Sequence, residues 1–238
     1  MGEPGGLARA CLRRGAAGEP VAHRPRPRTR HHARRPLVIE LVIFRTGGVE
    51  IGRSSFVPGA SDAKSFAPVW SALLRTPEGN ILFDTGLHPV HVDRPDATFG
   101  PGSLKVVMAK EDAIVARLLS LGVHPDEIAV VVNSHLHFDH AGGNTVREGE
   151  DRVRPAFPNG HQSLVVELRE TGRVVLCGDA AFTRENLERG EIRAPDEQTA
   201  KESLALIRSL VKDDLERVFV SHDAASWSRW KRAPESYR

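Results

Sequence analysis

The stretch Ile128-Ala129-Val130-Val131-Val132-Asn133-Ser134-His135-Leu136-His137-Phe138-Asp139-His140-Ala141-Gly142-Gly143 changes character half-way. Five apolar, mostly β-branched residues give way to a run crowded with imidazoles and a carboxylate. The first half predicts a buried strand, Ile128 to Val132. The second half is what that strand delivers at its C-terminal end. His135 and His137 are two apart and share a direction while the backbone stays extended. Asp139 and His140 follow in a turn that Gly142 and Gly143 loosen. Packing gives no reason for four potential ligands within six residues. Imidazole and carboxylate donors without thiolates suit a catalytic zinc or similar ion with open coordination positions, not a closed cysteine-rich structural site.

Working outward, Leu37 to Phe44 is apolar enough for a strand buried on both faces, and Val69 to Leu74 and Asn80 to Asp84 are two more, joined by a Thr76-Pro77-Glu78-Gly79 turn. Ile114, Val115, Leu118 and Leu119 have helical spacing within Glu111 to Leu121, which Gly122 ends. Ser163 to Leu168 and Arg173 to Cys177 form a hairpin-like pair around Glu170-Thr171-Gly172. Ala200, Leu204, Ile207 and Val211 mark one helix face, and Arg217 to Ser221 is a last strand running into His222. Strands mixed with amphipathic helices predict an α/β layered fold.

The 238 residues suffice for one large domain with a sizeable core. The formal net charge of +2 is misleading, because residues 1–36 carry nine Arg against two Glu and the remainder is net acidic. A basic body suited to nucleic acid is therefore not expected. Residues 1–36 hold almost no large apolar side chains and read as a disordered Arg/Pro-rich tail, with the folded domain over 37–238. No apolar run approaches the roughly 18 residues that span a bilayer, so no membrane partner is expected and we expect a cytoplasmic protein. Cys11 and Cys177 give no disulfide framework; Cys177 reads as a small core residue. Trp227, Trp230 and Tyr237 either pack on the fold or border a substrate mouth.

The H-x-H-x-D-H word is the signature of the metallo-β-lactamase superfamily, and other words narrow the resemblance. Asn133 to Asn144, Gly160-His161-Gln162-Ser163-Leu164, Gly178-Asp179 followed by Phe182-Thr183-Arg184-Glu185-Asn186-Leu187, Phe83-Asp84-Thr85-Gly86-Leu87-His88-Pro89 and Ser221-His222-Asp223 together resemble the N-acyl-homoserine lactonases. The likeness runs from about Leu37 to the C-terminus. It implies an αββα sandwich with two zinc ions where the sheets meet. His135 and His137 would bind the first; Asp139, His140 and His222 would bind the second; Asp179 would bridge both; and Asp84 would orient ligands from behind. The implied chemistry is metal-assisted opening of a small lactone, with Asp139 also handling the proton.

Two departures stand out. Members of the family carry a further ligand four residues before the second His of a G-H-x-P-G-H-Q-S word, and that position here is Phe157, which has no lone pair to offer. Only 20 residues separate His140 from His161, where the family places several tens, as if a segment had been deleted. His161 becomes a possible substitute ligand if the shortened loop shifts it by about a turn; otherwise it is structural. Loss of a central strand would also expose backbone edges and apolar faces. The second departure is Phe182, where the family generally has a Tyr whose hydroxyl faces the substrate. Competing readings are a thioesterase of the same superfamily and a metal-binding remnant without turnover.

Overall fold

Alternation along the first long strand decides how the layers form. In the computed structural model, which describes residues 39–100, 104–144 and 160–238, strand β1 (Glu40–Gly52) sends Leu41 and Ile43 to one face and Val42 and Phe44 to the other. The expected tail over 1–36, the first residues of the strand expected from Leu37, and the linker Thr145 to Asn159 with Phe157 lie outside the described residues.

β1 pairs antiparallel with β2 (Lys64–Thr76), and β2 with β3 (Gly79–Phe83). The connecting turn is closed by Thr76, whose hydroxyl donates to Gly79 O (2.8 Å) and accepts from Gly79 N (3.2 Å). A short β4 (Lys105–Val107) pairs antiparallel with β1, and β5 (Ile128–Val132) pairs parallel with β3, so the first sheet runs β4-β1-β2-β3-β5. A second sheet has order β6-β7-β8, from β6 (Leu164–Leu168), β7 (Gly172–Gly178) and β8 (Val218–Val220).

The main core lies between the sheets. Leu41, Ile43, Trp70, Ala72, Leu74 and Phe83 of the first sheet share it with Val174, Leu176 and Val220 of the second. Trp70 ties the two together by donating its indole N–H to Val220 O (3.0 Å). Truncating a side chain such as the fully buried Leu176 to Ala costs about 2–5 kcal/mol in such a setting. The outer face of the first sheet packs Leu73 and Leu82 on Ile114 and Leu118 of α1 (Ile114–Ser120). On the far side, α2 (Arg184–Arg189) and α3 (Glu197–Leu210) contribute Leu187, Leu204 and Ile207. This is the expected α/β, αββα layering. Trp230, after the short α4 (Ala224–Arg229), and Tyr237 pack on Phe219, with ring centroids 4.9 and 5.2 Å away, so these aromatics belong to the core. Cys177 is fully buried, as expected.

One expectation fails. β5 is not buried: Val130 and Val131 are 49% and 46% exposed. Consecutive strand residues face opposite ways, so both faces of β5 are open. A parallel strand is buried only where both faces and both edges are covered, and among the described residues β5 pairs with β3 alone. An apolar cleft of about 340 Å³ beside it is lined by Ile114, Val115, Leu118, Ile128 and Val131. No helix among the described residues is long and apolar enough to cross a membrane.

Candidate metal centre

The parallel register of β3 and β5 brings the ends of both strands together. Asp84, just past β3, donates its backbone N–H to Val132 O (2.9 Å) and takes a left-handed φ of 56°, a region Asp visits more readily than most residues. Its carboxylate turns to the residues after β5. Oδ1 accepts from Ser134 N (2.6 Å), and Oδ2 accepts from Ser134 Oγ (2.9 Å) and faces His140 Nδ1 at 2.8 Å. The chain then turns, with Ala141 N donating to His137 O (2.9 Å) and Thr85 N to His140 O (2.7 Å). Gly142 and Gly143 do more than loosen this turn. A Cβ on Gly142 would lie 2.4 Å from Phe138 O, and one on Gly143 would lie 2.6 Å from Thr85 O, so backbone approach excludes any side chain.

From the second sheet come Asp179, one residue past β7, and His222, two past β8. His222 Nδ1 lies 3.0 Å from Pro68 O, which assigns the proton to Nδ1 and leaves Nε2 facing the site. The two Asp179 oxygens then face different partners. Oδ2 is 3.3 Å from His135 Nε2 and 4.0 Å from His137 Nδ1. Oδ1 is 3.2 Å from His140 Nε2 and 3.3 Å from His222 Nε2. Asp139 Oδ2 completes the second side, 3.6 Å from His140 Nε2 and 3.5 Å from His222 Nε2.

Two groups result, each with donor atoms within 4.8 Å of one another: His135, His137, His161 and Asp179, and beside them Asp139, His140 and His222. Every ligand position expected from the sequence among the described residues therefore meets at one place, and Asp84 sits behind His140. The donor set fits a cation. His140 Nε2 and Asp179 Oδ1 are buried side-chain atoms with no hydrogen-bond partner, a costly state unless something between them accepts the one and neutralises the other.

Electrostatics differ between the groups. Burial pulls the His140 pKa down, but the carboxylates of Asp179, Asp139 and Asp84 outweigh it and hold it well above the ordinary imidazole value. His222 is likewise raised, by Asp179 and Asp139 against burial. Burial would raise Asp179, yet His140 and His222 hold it well below the usual carboxylate range. His137 and His161 are lowered, by burial first and then by His135.

The metallo-beta-lactamase superfamily profile matches residues 65–146. The N-acyl homoserine lactonase AiiA of Bacillus thuringiensis subsp. kurstaki is 31% identical over 215 positions, covering 71% of this chain and 86% of that protein. The chain belongs to the N-acyl homoserine lactonase family. It is thus a metallo-beta-lactamase-fold hydrolase. A solved N-acyl homoserine lactone hydrolase, with the product N-hexanoyl-L-homoserine at its catalytic metal centre, superposes with a TM-score of 0.70 at 28% identity, covering 85% of this chain and all of that one. AidC, a dizinc quorum-quenching lactonase, shares the fold at a TM-score of 0.56 and 14% identity, over 84% of this chain and 94% of that one.

Within this lactonase-family scaffold, several further groups support the ligands. Ser134 is a hub, its hydroxyl within 3.0 Å of His135 Nδ1 as well as against Asp84. Phe56 stacks on His222 at a centroid distance of 5.2 Å and meets Phe182 at the same distance. Ser134 stood inside the quoted motif; Phe56, on an irregular loop, carried no signal.

Proposed function

We propose that this chain, through a hydrolase domain over 37–238, opens the ring of N-acyl-homoserine lactones or a closely related small lactone with two zinc ions. His135, His137 and Asp179 hold the first, and Asp179, Asp139, His140 and His222 the second. The observation that carries the reading is the division of Asp179, one oxygen toward each histidine group.

Zinc, when bound, makes hydroxide available near neutral pH and polarises the lactone carbonyl. The chain's residues do the rest. Asp84, Ser134 and Pro68 O fix the ring orientations of His140, His135 and His222. Asp139, nearly buried, takes the proton of the attacking water and returns it to the alcohol oxygen that leaves as the ring carbon–oxygen bond breaks. Phe56 and Phe182 place two apolar rings beside His222.

Ring opening releases acid, so the zinc-loaded chain is assayed with a pH indicator against acyl-homoserine lactones of several chain lengths, a thioester and a β-lactam. Turnover of the lactones alone is expected. Zinc bound without turnover of any lactone contradicts the reading, and preferential thioester cleavage replaces it.

A further inference from the structure

The segment around His161 is fastened to the end of β5 immediately after that residue. Gln162 N donates to Ser134 O (2.8 Å), and its side-chain amide donates to Asn133 O (2.6 Å). Ser163 Oγ, next along, donates to Cys177 O (3.0 Å). Gly160, with φ of +102°, provides the backbone bend in front that a side chain would resist. His161 is thereby held with its ring centroid 4.3 Å from that of His135 and 6.1 Å from that of His137. One of its nitrogens lies within 4.8 Å of the donor atoms of His135, His137 and Asp179.

The first group needs such a donor. Without His161 it has two imidazoles and a carboxylate that also serves the second group, and position 157 is a Phe. An imidazole kept for structural reasons makes protein hydrogen bonds through its nitrogens. Among the described residues the ring of His161 makes ring contacts with His135 and His137 and no hydrogen bond. We infer that His161 itself supplies the third imidazole of the first metal position, so that this ligand has moved four residues along the chain. The inference rests on the two-metal reading above. It carries a consequence: His161 and His137 are more open to solvent than Asp139, His140 and His222, which are buried, so the first position surrenders its metal to a chelator before the second.

The test is cobalt(II) titration of the metal-free full chain, as native protein, His161→Ala and His161→Cys, with circular dichroism to verify folding. Native protein is expected to bind two equivalents. With Cys11 replaced by Ser throughout, His161→Cys should show a near-ultraviolet thiolate-to-cobalt band that grows with one equivalent and is absent from the His161 protein, whose remaining Cys177 is buried. In His161→Ala the weaker equivalent should lose more than the roughly 10–100-fold in affinity that removal of an outer partner costs. Two equivalents bound by His161→Ala at native affinity, or by His161→Cys without the band, overturn the ligand assignment and leave the two-metal reading standing. Native protein that binds no cobalt overturns both.

Discussion

Asp84 Oδ2 lies 2.8 Å from Nδ1 of His140, and the same carboxylate holds both the N–H and the hydroxyl of Ser134. This one side chain turns His140 Nε2 toward Asp179 and pins the start of the histidine run. Asp84→Asn keeps the size and tolerates the left-handed backbone, so it isolates the acceptor chemistry. Zinc affinity should fall by about 10–100-fold with little loss of fold, measured by competition with a chromogenic chelator. Unchanged affinity would show that Asp84 serves the strand end alone.

The metal-free chain should show an alkaline loss of stability. His140 and His222 have raised pKa values, against burial, through Asp179 and Asp139. Their contribution is fully present below the unfolded value of about 6.5 and is lost as pH rises through the folded values. Asp179 is lowered, so its share is present above about pH 3.9 and is lost as pH falls through its folded value. His137 and His161, lowered by burial and His135, add a loss on the acid side below about pH 6.5. The urea midpoint of metal-free protein should therefore fall over the interval above about pH 6.5, as pH rises through the raised values of His140 and His222. Zinc displaces the protons and should abolish the fall. A metal-free midpoint that is flat or rises over that interval contradicts the charge arrangement.

Phe182 stands beside His222 with ring centroids 6.1 Å apart and packs on Phe56. Phe182→Tyr adds a hydroxyl donor on the same ring. If that donor meets charge developing on the substrate, kcat for an acyl-homoserine lactone should rise by about 10-fold with KM nearly unchanged. A change confined to KM would place the hydroxyl on the ground-state substrate instead.

Among the described residues β5 is an edge strand, with Val130 and Val131 exposed on its opposite faces. Such edges recruit other strands, and a charge on them blocks pairing. Val131→Lys should lower the concentration-dependent growth in apparent mass, read by light scattering, without altering zinc content. Equal association of both proteins would place the contact elsewhere.

The strands that carry the chemistry were legible because each ends an apolar run: β5 before His135, β7 before Asp179 and β8 before His222. The hairpin of β6 and β7 and the face of α3 followed from periodicity in the same way. β1 and β2 extend well past their apolar stretches, because register with a partner, from Glu40 against Arg75 to Gly52 against Lys64, carries polar and glycine residues along. The helices α2 and α4 are too short to show a period; they are set by local hydrogen bonds, Thr183 with Asn186 and Asp223 with Ala225. The exposure of β5 was misjudged from its own composition, since burial depends on neighbours that a strand's sequence does not contain. His161 was visible only as part of a word. The bonds of Gln162 to Asn133 and Ser134, which bring it to His135, depend on residues 28 or more positions away.

The most direct test of the account incubates N-hexanoyl-homoserine lactone with the zinc-loaded chain and follows mass. Gain of one water by the lactone, slowed by more than about 100-fold in Asp179→Asn, is the predicted result. Intact lactone after prolonged incubation with protein carrying two zinc ions would contradict it.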